Sequence, residues 1–257
     1  MSSLTELLVS DESAALVENP GGKGQVVLIC EHAGRQLPGF IDSLGIEESV
    51  MSTHIAWDLG AAALSRLLSE LLDAPLVLQR YSRLVYDCNR SFEALDAIVE
   101  KADGVAIPGN ADLSAEQRKQ RFDMIYQPFH SAVQDTIAGR SKPVIVTIHS
   151  FTPFFQGRQR DFELGILHDA DSRLADSLLA QTQLDTAFRT VRNKPYSAAD
   201  GATHTLITHG VKQSLQNVMF EVRNDLLGDS ASISLWARRL SNLINTALDA
   251  SHGVKSA

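Results

Sequence analysis

The chain has 257 residues, 44% of them hydrophobic and 21% charged, with a formal net charge of -8. That is an ordinary globular composition, long enough to bury a large core, and its acidic balance argues against a nucleic-acid partner. No apolar run approaches the roughly 20 residues of a membrane span, no basic-then-apolar leader opens the chain, and Cys30 and Cys88 make no disulfide framework, so a cytoplasmic enzyme or binding protein is expected.

Residues 1–24 read as a polar N-terminal extension closing in the turn-rich NPGGKG. QVVLICE (25–31) is an apolar, β-branched run typical of a buried parallel strand, followed by the loop HAGRQLPGF. In AWDLGAAALSRLLSELLDA, Leu59, Ala63, Leu67 and Leu71 recur at helical spacing, with Asp58 near the start, where a carboxylate caps free N–H groups. PLVLQR (75–80) and RLVYD (83–87) predict two strands, or one strand with a bend. A loop over 88–112 leads to SAEQ (114–117), the pattern of a capping box. Beyond it, Phe122, Ile125, Phe129, Val133 and Ile137 line one face of a long helix that Pro128 should kink. PVIVTI is the next strand, FELGILH (162–168) another, DSRLADSLLAQ a helix, FRTVRN a strand and NKPYSAADGATH a loop. NVMFEVR (217–223) is a further apolar strand, and an amphipathic helix runs from about Ile233 to Leu248. Strands alternating with helices predict a single three-layer α/β/α domain over 1–257 with a mixed, mainly parallel sheet.

Several strands end in chemistry. QVVLICE ends at Glu31 and His32; VIVTI runs into His149, Ser150 and Phe151; RLVYD runs into Cys88, Asn89 and Arg90; and the late strand carries Glu221 and Arg223, followed by Asp225. In open α/β sheets the carboxyl ends of strands are where ligands bind. A glutamate inside an apolar strand is costly to bury without a partner, so Glu221 calls for a reason.

The order His32, then Asp87-Cys88-Asn89-Arg90, then His149-Ser150-Phe151, then Glu221-Val222-Arg223 resembles that of the zinc carboxypeptidases. The stretches CEHAGRQLP, WDLGA, SRLVYDCNR, IHSFTP and FEVRNDL, spanning roughly residues 25–228, resemble the N-formylglutamate amidohydrolase family more closely. That resemblance implies a phosphorylase/hydrolase-like α/β fold and hydrolysis of an N-acyl amino acid, with N-formyl-L-glutamate giving formate and glutamate. The order shared with the zinc carboxypeptidases implies one zinc ion held by His32 and His149, Glu221 as general base and then acid, and Asn89, Arg90 and Arg223 as candidates to hold substrate carboxylates. An arginine fork suits a carboxylate because both are planar and pair bidentately.

One position departs from the carboxypeptidase pattern. Three residues after the first histidine those enzymes have a metal-binding glutamate; here Arg35 stands there and cannot ligate a cation. A catalytic zinc usually takes three protein ligands, so the third is Asp58 or Glu31. Asp58 is preferred, because it opens the helix after the first strand, whereas Glu31 neighbours His32 and would point the other way along a strand. His54, His130, His168 and His252 are expected to be structural or exposed, while His204 and His209 precede the Glu221 strand and could reach a pocket. Asp225 is expected to pair locally and Cys30 to pack, and Ser150 lacks the Gly-x-Ser-x-Gly elbow of a serine hydrolase.

Three functions fit the sequence. The first is a zinc-dependent deformylase of N-formylglutamate, whose small acyl pocket Phe151, Phe154 and Phe155 could close. The second is a related metal-dependent amidohydrolase or carboxypeptidase acting on another N-acyl amino acid or peptide. The third is a metal-free small-molecule binding protein, favoured only by Arg35. In each case the partner is a small molecule, with carboxylate groups for the enzymes.

Overall fold

The computed structural model describes residues 13–183 and 187–253, the side chains through residue 250. Seven strands form one sheet: β1 (Ala15–Glu18), β2 (Val26–Cys30), β3 (Leu76–Gln79), β4 (Val144–Phe151), β5 (Leu164–Leu167), β6 (Thr190–Arg192) and β7 (Asn217–Arg223). They lie in the order β1-β3-β2-β4-β7-β5-β6. β3, β2, β4 and β7 run parallel, β5 and β6 are parallel to one another, and β1 and β5 meet β3 and β7 antiparallel. The expected mixed, mainly parallel sheet with helices on both sides is therefore present. Among the described residues no helix is long and apolar enough to cross a membrane.

Alternation along the central strands sorts side chains between the two faces. Val26, Leu28 and Cys30, Val144, Val146 and Ile148, and Val218, Phe220 and Val222 share a core with α1 (Ala61–Leu71), α4 (Arg173–Thr182) and α5 (Ser230–Gly253). Val27, Ile29 and Ile145 face the opposite way, onto Phe129, Val133 and Ile137 of α3 (Gln127–Ala138). By the same parity Glu31, His149 and Glu221 fall on this second face, where a strand that must stay apolar on one side can carry a charge on the other.

Several expectations shift. The N-terminal extension contains β1, an edge strand. RLVYD is not a strand: Val85 N donates to Ser82 O and Leu84 N to Ser82 Oγ, folding the run into a turn that buries Leu84, Val85 and Tyr86. α1 buries Ala61, Leu64 and Leu68 rather than the Leu59–Leu71 row, and Leu71 is half exposed. Each fully buried leucine there is worth about 1.5–3 kcal/mol. Asp58 does not cap α1. Gly60, at φ 80°, is the N-cap, and a side chain there would strike Leu227. The Ser114–Gln117 capping box opens α2 (Ala115–Arg121) as expected. Where a kink was expected, a π-helical turn, Phe122–Tyr126, joins α2 to α3, with Pro128 in the first turn of α3. Such a turn absorbs the donor that proline lacks.

β4 does not stop before His149. It runs on through Phe151 because β7 pairs with it to the end, Glu221 opposite His149 and Arg223 opposite Phe151.

Candidate active site

The cleft lies at the carboxyl ends of β2, β4 and β7, lined among others by His32, Asp58, Arg83, Arg90, His149 and Glu221. His32 follows β2 directly and Asp58 ends the loop before α1; Asp58 N donates to His32 O at 2.9 Å, which fixes the two segments together. His149 and Glu221 stand side by side on β4 and β7.

Three donor atoms converge. Asp58 Oδ2 is 2.9 Å from His149 Nδ1 and 3.4 Å from His32 Nδ1, and the two Nδ1 atoms are 3.2 Å apart. Four ligands around a zinc at 2.0–2.1 Å are about 3.3 Å from one another, so this spacing fits. The opposite ring nitrogens are engaged elsewhere. Asp87 Oδ1 lies 2.8 Å from His32 Nε2, and Glu31 Oε2 lies 3.0 Å from His149 Nε2, an ion-pair contact without hydrogen-bond alignment. Two carboxylates thus turn both rings so that Nδ1 faces Asp58, the arrangement in which outer carboxylates orient metal-binding histidines. Glu31 stands on the far side of His149 from the three donors, so it is Asp58 that completes the set of three groups able to hold a metal. Arg35 does not oppose this. It lies away from the cleft, bonded to Ser52, 3.5 Å from Glu48 and over the Trp57 ring.

The charges follow from packing. Burial by itself would raise the Asp58 and Asp87 carboxyls, but His32 and its neighbours outweigh it and hold both below the usual range. Burial likewise works against His149 as a cation, yet Glu31 and Asp58 raise it well above an ordinary histidine. Glu31, resisted by burial and favoured by His149, stays below the usual range. Glu221 goes the other way: burial pushes it up to about 7, and among the described residues its Oε2 has no hydrogen-bond partner. A buried carboxyl poised near neutrality is what a proton-transferring group needs.

The arginines and Asn89 divide. Arg90 lines the cleft while its Nε bonds Asp96 and its Nη1 bonds the carbonyls of Asn89 and Gly201. Asn89 also lines the cleft, but both ends of its amide hold backbone: Nδ2 donates to Ala202 O at 2.6 Å and Oδ1 accepts from Thr205 N at 3.0 Å. Arg223, expected beside the metal, is not among the cleft-lining residues; it pairs with Glu163 and Asp225 and ties β7 to the segment before β5. Arg83 was not anticipated. It lines the cleft, 2.7 Å from Asp87 and 3.6 Å from Asp58. Sequence gave no signal for it, because its segment reads as a strand. His54, expected to be structural or exposed, is also on the cleft wall, as are Phe151, Phe155 and Tyr196; Phe154 points to solvent. Ser150 Oγ donates to Leu59 O at 2.8 Å. His168 bonds Arg192, and the side chain of His252 lies outside the described residues.

Fold and site together define an α/β protein whose chemistry is a carboxylate–histidine cluster at the ends of parallel strands. The sequence profile described as N-formylglutamate amidohydrolase matches residues 24–227, and the chain belongs to this family of hydrolases. Among solved structures, the Agrobacterium tumefaciens gene product Atu2144 shares 47% identity over 93% of this chain and 96% of its own, with a TM-score of 0.91. The N-formylglutamate amidohydrolase from Ralstonia eutropha JMP134 has the same fold, with a TM-score of 0.65 at 17% identity, over 94% of this chain and 99% of that one. No curated protein matches the sequence.

Proposed function

We propose that the protein is a zinc-dependent amidohydrolase that cleaves N-formyl-L-glutamate, or a similar N-acyl amino acid, to the free acid and the amino acid. The observation that carries this is the convergence of His32 Nδ1, His149 Nδ1 and Asp58 Oδ2 at zinc-like spacing, with Glu221 directly beside His149. When bound there, zinc supplies Lewis acidity toward water and toward the amide carbonyl.

The chain's own residues do the rest. Glu221 accepts a proton from the attacking water at its carboxylate and returns it to the departing amine; its position near pH 7 suits both transfers. Arg90 meets a substrate carboxylate with Nη2, the edge that no hydrogen bond among the described residues uses. Asn89 serves this indirectly by fixing residues 202–205 beside Arg90. Arg83 adds a second positive group on the cleft wall, as a substrate with two carboxylates requires. The cavity, about 130 Å³, is small beside the roughly 300–1,000 Å³ of sites for drug-sized ligands, which favours a single acylated amino acid over a peptide.

The test is zinc analysis of the purified protein together with formate release from N-formyl-L-glutamate and acetate release from N-acetyl-L-glutamate. Zinc at about one per chain with formate release supports the proposal. A protein that takes up zinc and releases only acetate points to the related amidohydrolase instead, and no zinc uptake overturns the metal reading.

A further inference from the structure

Behind His149, away from the cleft, lie buried polar atoms without hydrogen-bond partners among the described residues: Oε1 and Oε2 of Glu31, Oγ1 of Thr205 and Nδ1 of His209. All three residues are at most 3% exposed. Thr205 and His209 are four apart on the helical segment that packs against β4 and β7, so they present to the same side. The charge of Glu31 acts on His209, and the Thr205 hydroxyl helps to lower the Glu31 carboxyl.

The tautomers can be worked out from the far end. Cys88 O is an acceptor only, so His130 Nε2, 2.8 Å away, carries a hydrogen. Burial holds His130 neutral, so its Nδ1 is a bare acceptor. The hydrogen in the 2.7 Å contact between His130 Nδ1 and His209 Nε2 therefore belongs to His209. His209 is also neutral, and its Nδ1 is left as a lone pair. That lone pair and the Glu31 carboxylate are both acceptors and cannot bond each other. A single donor of two hydrogens between them would satisfy both.

We infer that a buried water molecule bridges Glu31 and His209, donating to Glu31 Oε1 and His209 Nδ1 and accepting from the Thr205 hydroxyl. Three hydrogen bonds is the usual complement of a buried water, and this one satisfies Glu31 Oε1, His209 Nδ1 and Thr205 Oγ1 in the sense their chemistry demands, while Glu31 Oε2 faces His149 Nε2. The bridge completes a line from Cys88 O through His130, His209 and the water to Glu31 and His149. His209 is then a positioning residue for a metal ligand two contacts away. This last consequence rests on the metal reading of the site; the water itself does not.

A crystal structure at a resolution that shows ordered water should place a peak within about 2.7–3.2 Å of Glu31 Oε1 and His209 Nδ1. Density that excludes one overturns the inference. Zinc affinity, measured by competition with a chelator, should fall about 10-fold in His209→Leu, the low end for outer partners of metal ligands. Thr205→Val, nearly isosteric, should weaken zinc several-fold and serves if His209→Leu does not fold. Unchanged affinity in a folded variant overturns the positioning role. Failure of the wild-type protein to take up zinc would instead sink the metal reading and leave the water to the crystal.

Discussion

Glu221 and His149 are direct partners in the parallel ladder between β7 and β4. Adjacent parallel strands lie about 4.8 Å apart, so the ladder alone sets the carboxylate proposed to move the proton one strand spacing from a proposed metal ligand. No loop conformation is needed to bring them together.

Glu221→Gln is therefore expected to keep the fold and the zinc, since Glu221 is not one of the three donors. Turnover should fall by roughly 10²–10⁴-fold, the usual worth of a positioned acid–base group. Single-turnover formate release with parallel zinc analysis checks this, and near-normal turnover in a zinc-loaded variant would put the base elsewhere.

Asp58 and Glu31 should behave differently. Asp58→Ala removes a donor and is expected to abolish zinc uptake at stoichiometric metal. Glu31→Gln keeps three donors and should weaken zinc by about 10–100-fold, as loss of an outer partner does. Chelator competition distinguishes them; the reverse order would make Glu31 the ligand.

Asn89 and Arg90 are adjacent yet should separate in experiment. Asn89→Ala breaks two buried hydrogen bonds to the 202–205 backbone and is expected to cost on the order of 2 kcal/mol or more in stability. Arg90→Ala should chiefly lower kcat/KM, by roughly 10–150-fold, for a charged contact worth about 1.5–3 kcal/mol. The loss should shrink for a substrate whose matching carboxylate is an amide. Equal losses on acid and amide would make Arg90 a residue of the fold.

Acid should weaken the metal-free protein through His130 and His209. Burial pushes them down to about 3 and about 4, while unfolded histidine titrates near 6.5. Between these values the unfolded chain takes up protons that the folded chain refuses. Their contribution is thus fully present above about pH 6.5 and is lost as pH falls toward about 4 for His209 and about 3 for His130. Glu221, raised to about 7, has the opposite sign: its contribution is present below about 4.5 and lost as pH rises toward 7. NMR of the imidazole rings should find both histidines neutral at pH 5.5, and ordinary titration near 6.5 would refute the assignment.

The central strands were legible in the sequence because their period and composition are local properties. VIVTI, NVMFEVR and QVVLICE announce themselves as buried, and a carboxylate or imidazole interrupting such a run, as Glu221 and His149 do, is conspicuous without any coordinates. The Ser114–Gln117 cap is equally local. What the sequence could not decide is which side chains share a point in space. His32, Asp58, Asp87 and His149 are separated by tens of residues, and only the parallel register, with the strand crossovers between, brings them to one cleft. The same holds for direction. Arg223 shares a strand face with Glu221, but its long side chain is drawn to Glu163 and Asp225, whereas Arg83, in a run that reads as a strand, is turned into the cleft by a serine turn. The choice between Glu31 and Asp58 was likewise tertiary: which nitrogen of His149 each one meets depends on where the loop before α1 comes to rest against β4, a matter of packing rather than sequence.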